Sequence, residues 1–169
     1  MRGMWWVVGV VLVVVLVGTY LTWIAGRVDR LHARAAAASS ALDAQLVRRA
    51  VAASALGEAV QQTGLAHAAR VALDARPGER ETAENDLTRQ LRGVVLDADD
   101  PVVADLVAVS RRVALARQVH TDVVRDALAV RRLRPVRLLG LNRRHPEPAY
   151  FDVDDPSLGG AARATVSER

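Results

Sequence analysis

Residues 5–24 read WWVVGVVLVVVLVGTYLTWI and carry no charge. No other feature limits the possible folds of this chain as tightly. A helix of twenty residues covers about 30 Å, the thickness of a bilayer's hydrocarbon core. Thr19 and Thr22 are compatible with that setting, because a Thr hydroxyl can bond back to the carbonyl one turn earlier. Trp5 and Trp6 stand at one end, and Tyr20 and Trp23 near the other, as in the aromatic belts at the two headgroup levels. The buried helix of a soluble protein is rarely so long and so uniformly apolar. A cleaved signal peptide has a shorter apolar region followed at once by a small-x-small site. Here Trp23-Ile24-Ala25-Gly26 follows, and the nearest alternative, Ala36 and Ala38, is distant. The sequence therefore predicts an uncleaved transmembrane anchor over 1–26 and a place in the cell membrane. Arg27, Arg30 and Arg34 against Asp29 outweigh Arg2, which favours N-out, C-in by the positive-inside rule.

With the span set aside, the rest of the 169 residues suffices for one modest domain. It is rich in Ala, Val, Leu and Arg, and the chain has one Phe. Such a composition suits helices with thin, Ala-rich seams better than β-sheets, which need bulky branched and aromatic faces. The expected fold class is all-α: the transmembrane helix continues into an antiparallel up-and-down helical bundle. Residues 27–62 read as continuous helix, with Leu42, Leu46, Ala53, Leu56 and Val60 on one apolar stripe. The run 35–38, all Ala, suits close approach of a neighbouring helix. Thr63-Gly64 offers a stop with Gly in the left-handed cap. A short helix over 65–75 places Ala66, Ala69 and Leu73 on one side, and Pro77-Gly78 is a turn. Glu79, Glu81 and Glu84 then enrich a helix start in acid, and Leu87, Leu91, Val94 and Val95 form its stripe. Asp100 caps a last helix whose first residue is Pro101. That helix runs to about Arg132, with Val103, Leu106, Ser110, Val113, Arg117, Val124 and Leu128 on its stripe. Residues 135–141 are short and apolar. The organisation expected is an anchor over 1–26, a bundle over 27–141, an extended segment over 142–156 and a disordered tail over 157–169.

Motifs for chemistry are scarce. The chain has no Cys, which excludes disulfides, thiolate metal sites and thiol catalysis. His32, His67, His120 and His145 show no metal-ligand spacing, and lone helical His residues are usually at the surface or satisfied. Asp97, Asp99 and Asp100 lack the alternation, central Gly and distant Glu of a calcium loop. Nucleotide and hydrolase signatures such as GxGxxG, GxxxxGK[ST] and GxSxG are missing, and the carboxylates fall in helix starts, caps and solvated faces. The sequence therefore predicts no catalytic, cofactor-binding or metal-ligating residue. The net charge is +4, but six of the 23 basic residues, Arg131, Arg132, Arg134, Arg137, Arg143 and Arg144, lie in an acid-free stretch. These are candidate contacts for anionic lipid headgroups. Nucleic acid is not expected, because aromatic stacking partners are missing there. A solvated helix end favoured by the dipole is the simplest reading. Two further Arg residues stand on or beside apolar stripes. Arg49 follows Leu42 and Leu46, and Arg117 follows Ser110 and Val113. An Arg on a seam needs a partner, since an unpaired buried charge is costly. Asp43 is an available carboxylate, and an Asp43–Arg117 pair, or one nearby, would fix helix register. Snorkelling of both Arg side chains to solvent is the alternative.

At these residues the chain resembles the LemA proteins of bacteria. That family has an N-terminal hydrophobic helix and then a "D-x-Q-L-x-R-R" stretch, read here as Asp43-Ala44-Gln45-Leu46-Val47-Arg48-Arg49. Its Ala-Arg pair and "E-N-x-L-x-x-x-L" correspond to Ala75-Arg76 and to Glu84-Asn85-Asp86-Leu87 with Leu91. Its apolar Pro-containing stretch and acidic "Y-F" end resemble 135–141 and Tyr150-Phe151-Asp152. Arg117 is kept, but His120-Thr121-Asp122 replaces the family's "Y-N", and the Pro- and Asn-rich run after Arg49 is missing. The likeness covers roughly 4–155 and marks a divergent member. It implies a membrane-anchored antiparallel bundle without enzyme activity. The function expected is a non-catalytic scaffold or adaptor at the membrane, whose partners are the lipid bilayer and another protein. One rival is a ligand sensor or enzyme with a polar site between helices. Another is a binder of anionic lipid or nucleic acid through the Arg131–Arg144 stretch.

Overall fold

Uninterrupted helix extends from the apolar span through Asp43 and Arg49. In the computed structural model, which describes residues 2–97, 99–132 and 150–151, α1 covers Arg2–Ala59. Three more helices follow, α2 (Thr63–Asp74), α3 (Arg80–Arg92) and α4 (Pro101–Arg131). Among the described residues there is no strand. The all-α class is therefore observed, with a first helix long and apolar enough to cross a membrane.

The chain divides into two units, Met1–Ala36 with Val123–Ala149, and Ala37–Asp122 with Tyr150–Arg169. In the first, the span's large side chains face outward: Val7 to Val17 are exposed, and Trp5 and Trp6 are each 77% exposed. Thr19 Oγ1 donates to the Val15 carbonyl at 2.9 Å and Thr22 Oγ1 to the Gly18 carbonyl at 2.8 Å. Both hydroxyls are thus satisfied within the helix, as the sequence suggested. Tyr20 stacks on Trp23, whose ring also lies 5.8 Å from the Arg27 guanidinium. Ile24 and Val28 are buried with Val130 packed against them.

The second unit holds the main core. Ala50, Ala53 and Leu56 of α1 meet Leu65, Ala68, Ala69 and Ala72 of α2, Ala83, Leu87 and Leu91 of α3, and Val103 and Leu106 of α4. Small residues let the backbones approach. A Cβ on Gly57 would lie 2.7 Å from the backbone nitrogen of Ala66, so α2 packs on α1 only because residue 57 has no side chain.

The α1–α2 corner departs from the expected stop. Thr63 and Gly64 open α2 instead of ending α1, and the left-handed residue is Gln61, at φ 55°. The Gln62 amide donates to the Gly57 carbonyl at 2.8 Å and the Gln61 amide to the Glu58 carbonyl at 3.2 Å. This double closure is a Schellman motif, here with Gln where Gly is usual. Val60 falls beyond the helix and is exposed, not part of the stripe. Val95 likewise leaves its predicted stripe: α3 ends at Arg92, and Leu96 is the buried residue of the following turn. Asp100 caps α4 as expected, its Oδ1 accepting from the Val102 amide at 2.8 Å. The segments expected over 135–141 and 157–169, and all but Tyr150 and Phe151 of 142–156, lie outside the described residues.

Candidate functional site

Arg49 has no exposed surface in the middle of the second unit. It lies on a row of buried α1 residues that includes Leu42, Leu46, Ala53 and Leu56, so the helical period carries a guanidinium into the core. On α3 the same logic applies to Glu84, which lies three residues before Leu87 and seven before Leu91, and to Thr88 one turn further on. All four are fully buried. Arg49 Nη1 donates to Glu84 Oε2 at 3.1 Å, and Nη2 donates to Thr88 Oγ1 at 2.9 Å. The Thr88 hydroxyl in turn donates to the Glu84 carbonyl at 2.8 Å. Thr88 is thereby held in the orientation that accepts from Arg49.

A second charge pair lies beside this one. Arg80 Nε is 3.2 Å from Asp43 Oδ1, with the Asp43 side chain about half exposed. Arg80 Nη2 also donates to the Ala75 carbonyl at 3.0 Å. Arg80, Glu84 and Thr88 are spaced by four along α3 and meet Asp43 and Arg49 of α1. The two pairs are complementary in sign: α1 presents an acid and then a base, and α3 a base and then an acid.

Burial is the largest influence on both inner groups. It raises the Glu84 carboxyl pKa above its ordinary value, while the Arg49 charge and hydrogen bond oppose the rise. It also lowers the Arg49 guanidinium, against the pull of Glu84. Glu84 Oε1 and Arg49 Nε find no hydrogen-bond partner. The pair holds α1 to α3, and with no exposed surface it offers no face to a dissolved substrate.

Three sequence expectations are corrected. Asp43 pairs with Arg80 and not with Arg117, which is half-buried on α4. Glu84 is a core residue, not a solvated acid of a helix start. Arg49 does have the partner its position demands, so snorkelling is excluded for it. Glu84 was legible in principle: an Arg on one seam calls for an acid on a facing seam, and Glu84 shares the spacing of Leu87 and Leu91. Nothing in the sequence singled out Thr88. His120 is buried, with Nδ1 unpartnered and its pKa lowered by burial, in place of the surface or satisfied His expected. Of the basic stretch, Arg131 ends α4 and Arg132 stands in the turn after it, whereas Arg134, Arg137, Arg143 and Arg144 lie outside the described residues.

An open cleft of about 800 Å³ runs along the outer faces of α2 and α3, lined by His67, Arg70, Asp74, Glu79, Asp86 and Arg89 among others. Arg89 is already paired with Asp86 at 2.8 Å. Among the described residues no three metal-ligating acids or imidazoles converge. Comparison of the chain with protein-family models, with curated proteins and with solved structures returns no match.

Proposed function

We propose that this is a single-pass membrane protein of the LemA type, whose cytoplasmic helical bundle serves as a tethered, non-catalytic scaffold or adaptor. The observation that carries this reading is the continuity of α1 from an exposed apolar segment into a packed Ala/Leu/Val core. Apolar side chains such as Val7 to Val17 would each lose about 1–2 kcal/mol in water relative to burial, a cost that a lipid surround removes. The core itself is apolar apart from polar residues such as those of the Arg49–Glu84–Thr88 network, which suits a structural body more than a binding cavity.

An up-and-down order of the helices draws support from the contacts within the second unit. Asp43 with Arg80 and Arg49 with Glu84 rise together in number, as in parallel first and third helices. A short turn joins α2 to α3, as between antiparallel neighbours. The "D-x-Q-L-x-R-R" block adds the family resemblance, and Arg49 within it is a buried anchor. The open α2–α3 cleft, with His67, Arg70 and Asp74 on its lining, is where the rival sensor reading would place a ligand.

Alkaline carbonate extraction of membranes, joined to reporter fusions after Arg169, tests the reading. Retention of the full chain in the pellet and a reporter active only in the cytoplasm are expected. Release by carbonate would reject the anchor, and an active periplasmic reporter would reject the orientation. Crosslinking in intact membranes tests the scaffold role, with specific protein adducts expected on the second unit. Saturable binding of a small molecule in the α2–α3 cleft, lost in His67→Ala and Arg70→Ala, would favour the sensor instead.

A further inference from the structure

Phe151 is the chain's single Phe. It packs on a small core cluster made by Leu42 and Leu46 of α1 and Val113 of α4, beside Ala116. The next residue back, Tyr150, is 50% exposed. The position of this contact has a structural reason. Arg80, the first residue of α3, meets Asp43, so Leu42 lies at the level where α3 begins. Leu42, Leu46 and Val113 are nonetheless almost fully buried, at 3%, 1% and 1% exposed. Phe151 and Ala116 supply part of that cover. Residues 150–151 have neither helix nor strand, so side-chain burial is what the contact offers to hold this part of the chain.

We propose that Leu42, Leu46, Val113 and Ala116 form a docking socket for a large apolar side chain outside the helices, and that Phe151 of the same chain is its resident, releasable occupant. The chemistry it takes is one large apolar side chain, here the ring of Phe151. Release of this latch uncovers an apolar face on α1 and α4. The proposal stands apart from the membrane-scaffold reading, because socket and occupant both belong to the second unit.

Hydrogen exchange on the full chain in lipid nanodiscs tests it. In Phe151→Ala, amides around 42–46 and 113–116 should exchange about tenfold faster or more, while those of α2 and α3 stay as in the wild type. Phe151→Leu, which keeps an apolar side chain, should recover most of the protection. A synthetic peptide of residues 146–155 added in excess should restore protection to Phe151→Ala, and the same peptide with Ala for Phe should not. Unchanged exchange in Phe151→Ala would overturn the latch. Faster exchange that the peptide fails to reverse would overturn the socket.

Discussion

Arg49 and Glu84 show how a buried pair can be costly as a whole and yet intolerant of losing either partner. Both charges leave water, and their attraction offsets that loss only while both are present. Arg49→Ala or Glu84→Ala alone should destabilise the chain by about 3–5 kcal/mol, because each strands a buried partner. Arg49→Met combined with Glu84→Leu should be neutral or more stable by up to about 4 kcal/mol. Urea denaturation in micelles measures both, and additive losses in the double variant would refute the pairing. The same pair makes a pH prediction. Burial raises the Glu84 pKa, so the folded chain keeps that proton to higher pH than the unfolded chain does. The stabilising share of Glu84 is therefore full below its ordinary value of 4.5 and is lost as pH rises through the raised one. Wild type should lose stability relative to Glu84→Gln over that window, and a difference independent of pH would count against it. The sequence made Arg49 suspect through its place after Leu42 and Leu46. It could not select Glu84 over Asp43, because spacing along one helix does not say which residue of another stands opposite.

Helix ends, at the scale of elements, divide sharply in how legible they were. Asp100-Pro101 announced α4, since a capping carboxylate and a residue without an amide hydrogen both suit a helix start. Asp100→Ala should cost about 1 kcal/mol, seen as a lower midpoint in the same denaturation. At the α1–α2 corner the sequence points to Gly64 for the left-handed position, whereas Gln61 holds it. The tight contact of Gly57 on Ala66 governs that corner, and it leaves Gln61 to take φ 55°. A non-Gly residue pays roughly 1–2 kcal/mol in the left-handed region. Gln61→Gly should therefore stabilise the chain by up to about 1 kcal/mol once its added unfolded-state entropy is counted. Gly57→Ala should do the reverse, by about 1–3 kcal/mol, since the clash is with backbone that cannot swing away. If Gly57→Ala were silent in thermal unfolding, the close α1–α2 approach would be wrong.

The long apolar start of α1 dominates the whole molecule, and the prediction that it spans a membrane belongs at this scale. Val13→Arg places a charge near the middle of 5–24, at a cost of about 2.5–3.5 kcal/mol for insertion. Less of the chain should reach the carbonate-resistant membrane fraction, and an unchanged fraction would argue against spanning. Local sequence determined this segment, because twenty uncharged residues impose length and polarity without help from any other element. It also determined the all-helical class, through Ala- and Leu-rich stripes at the helical period. What only the tertiary structure decided is who faces whom: Arg49 with Glu84 and Thr88, Asp43 with Arg80 in place of Arg117, and Phe151 on the Leu42–Val113 cluster. Periodicity names the face that a helix buries. The partner on the other side depends on how several helices fill shared space at once, and no single stretch of sequence carries that information.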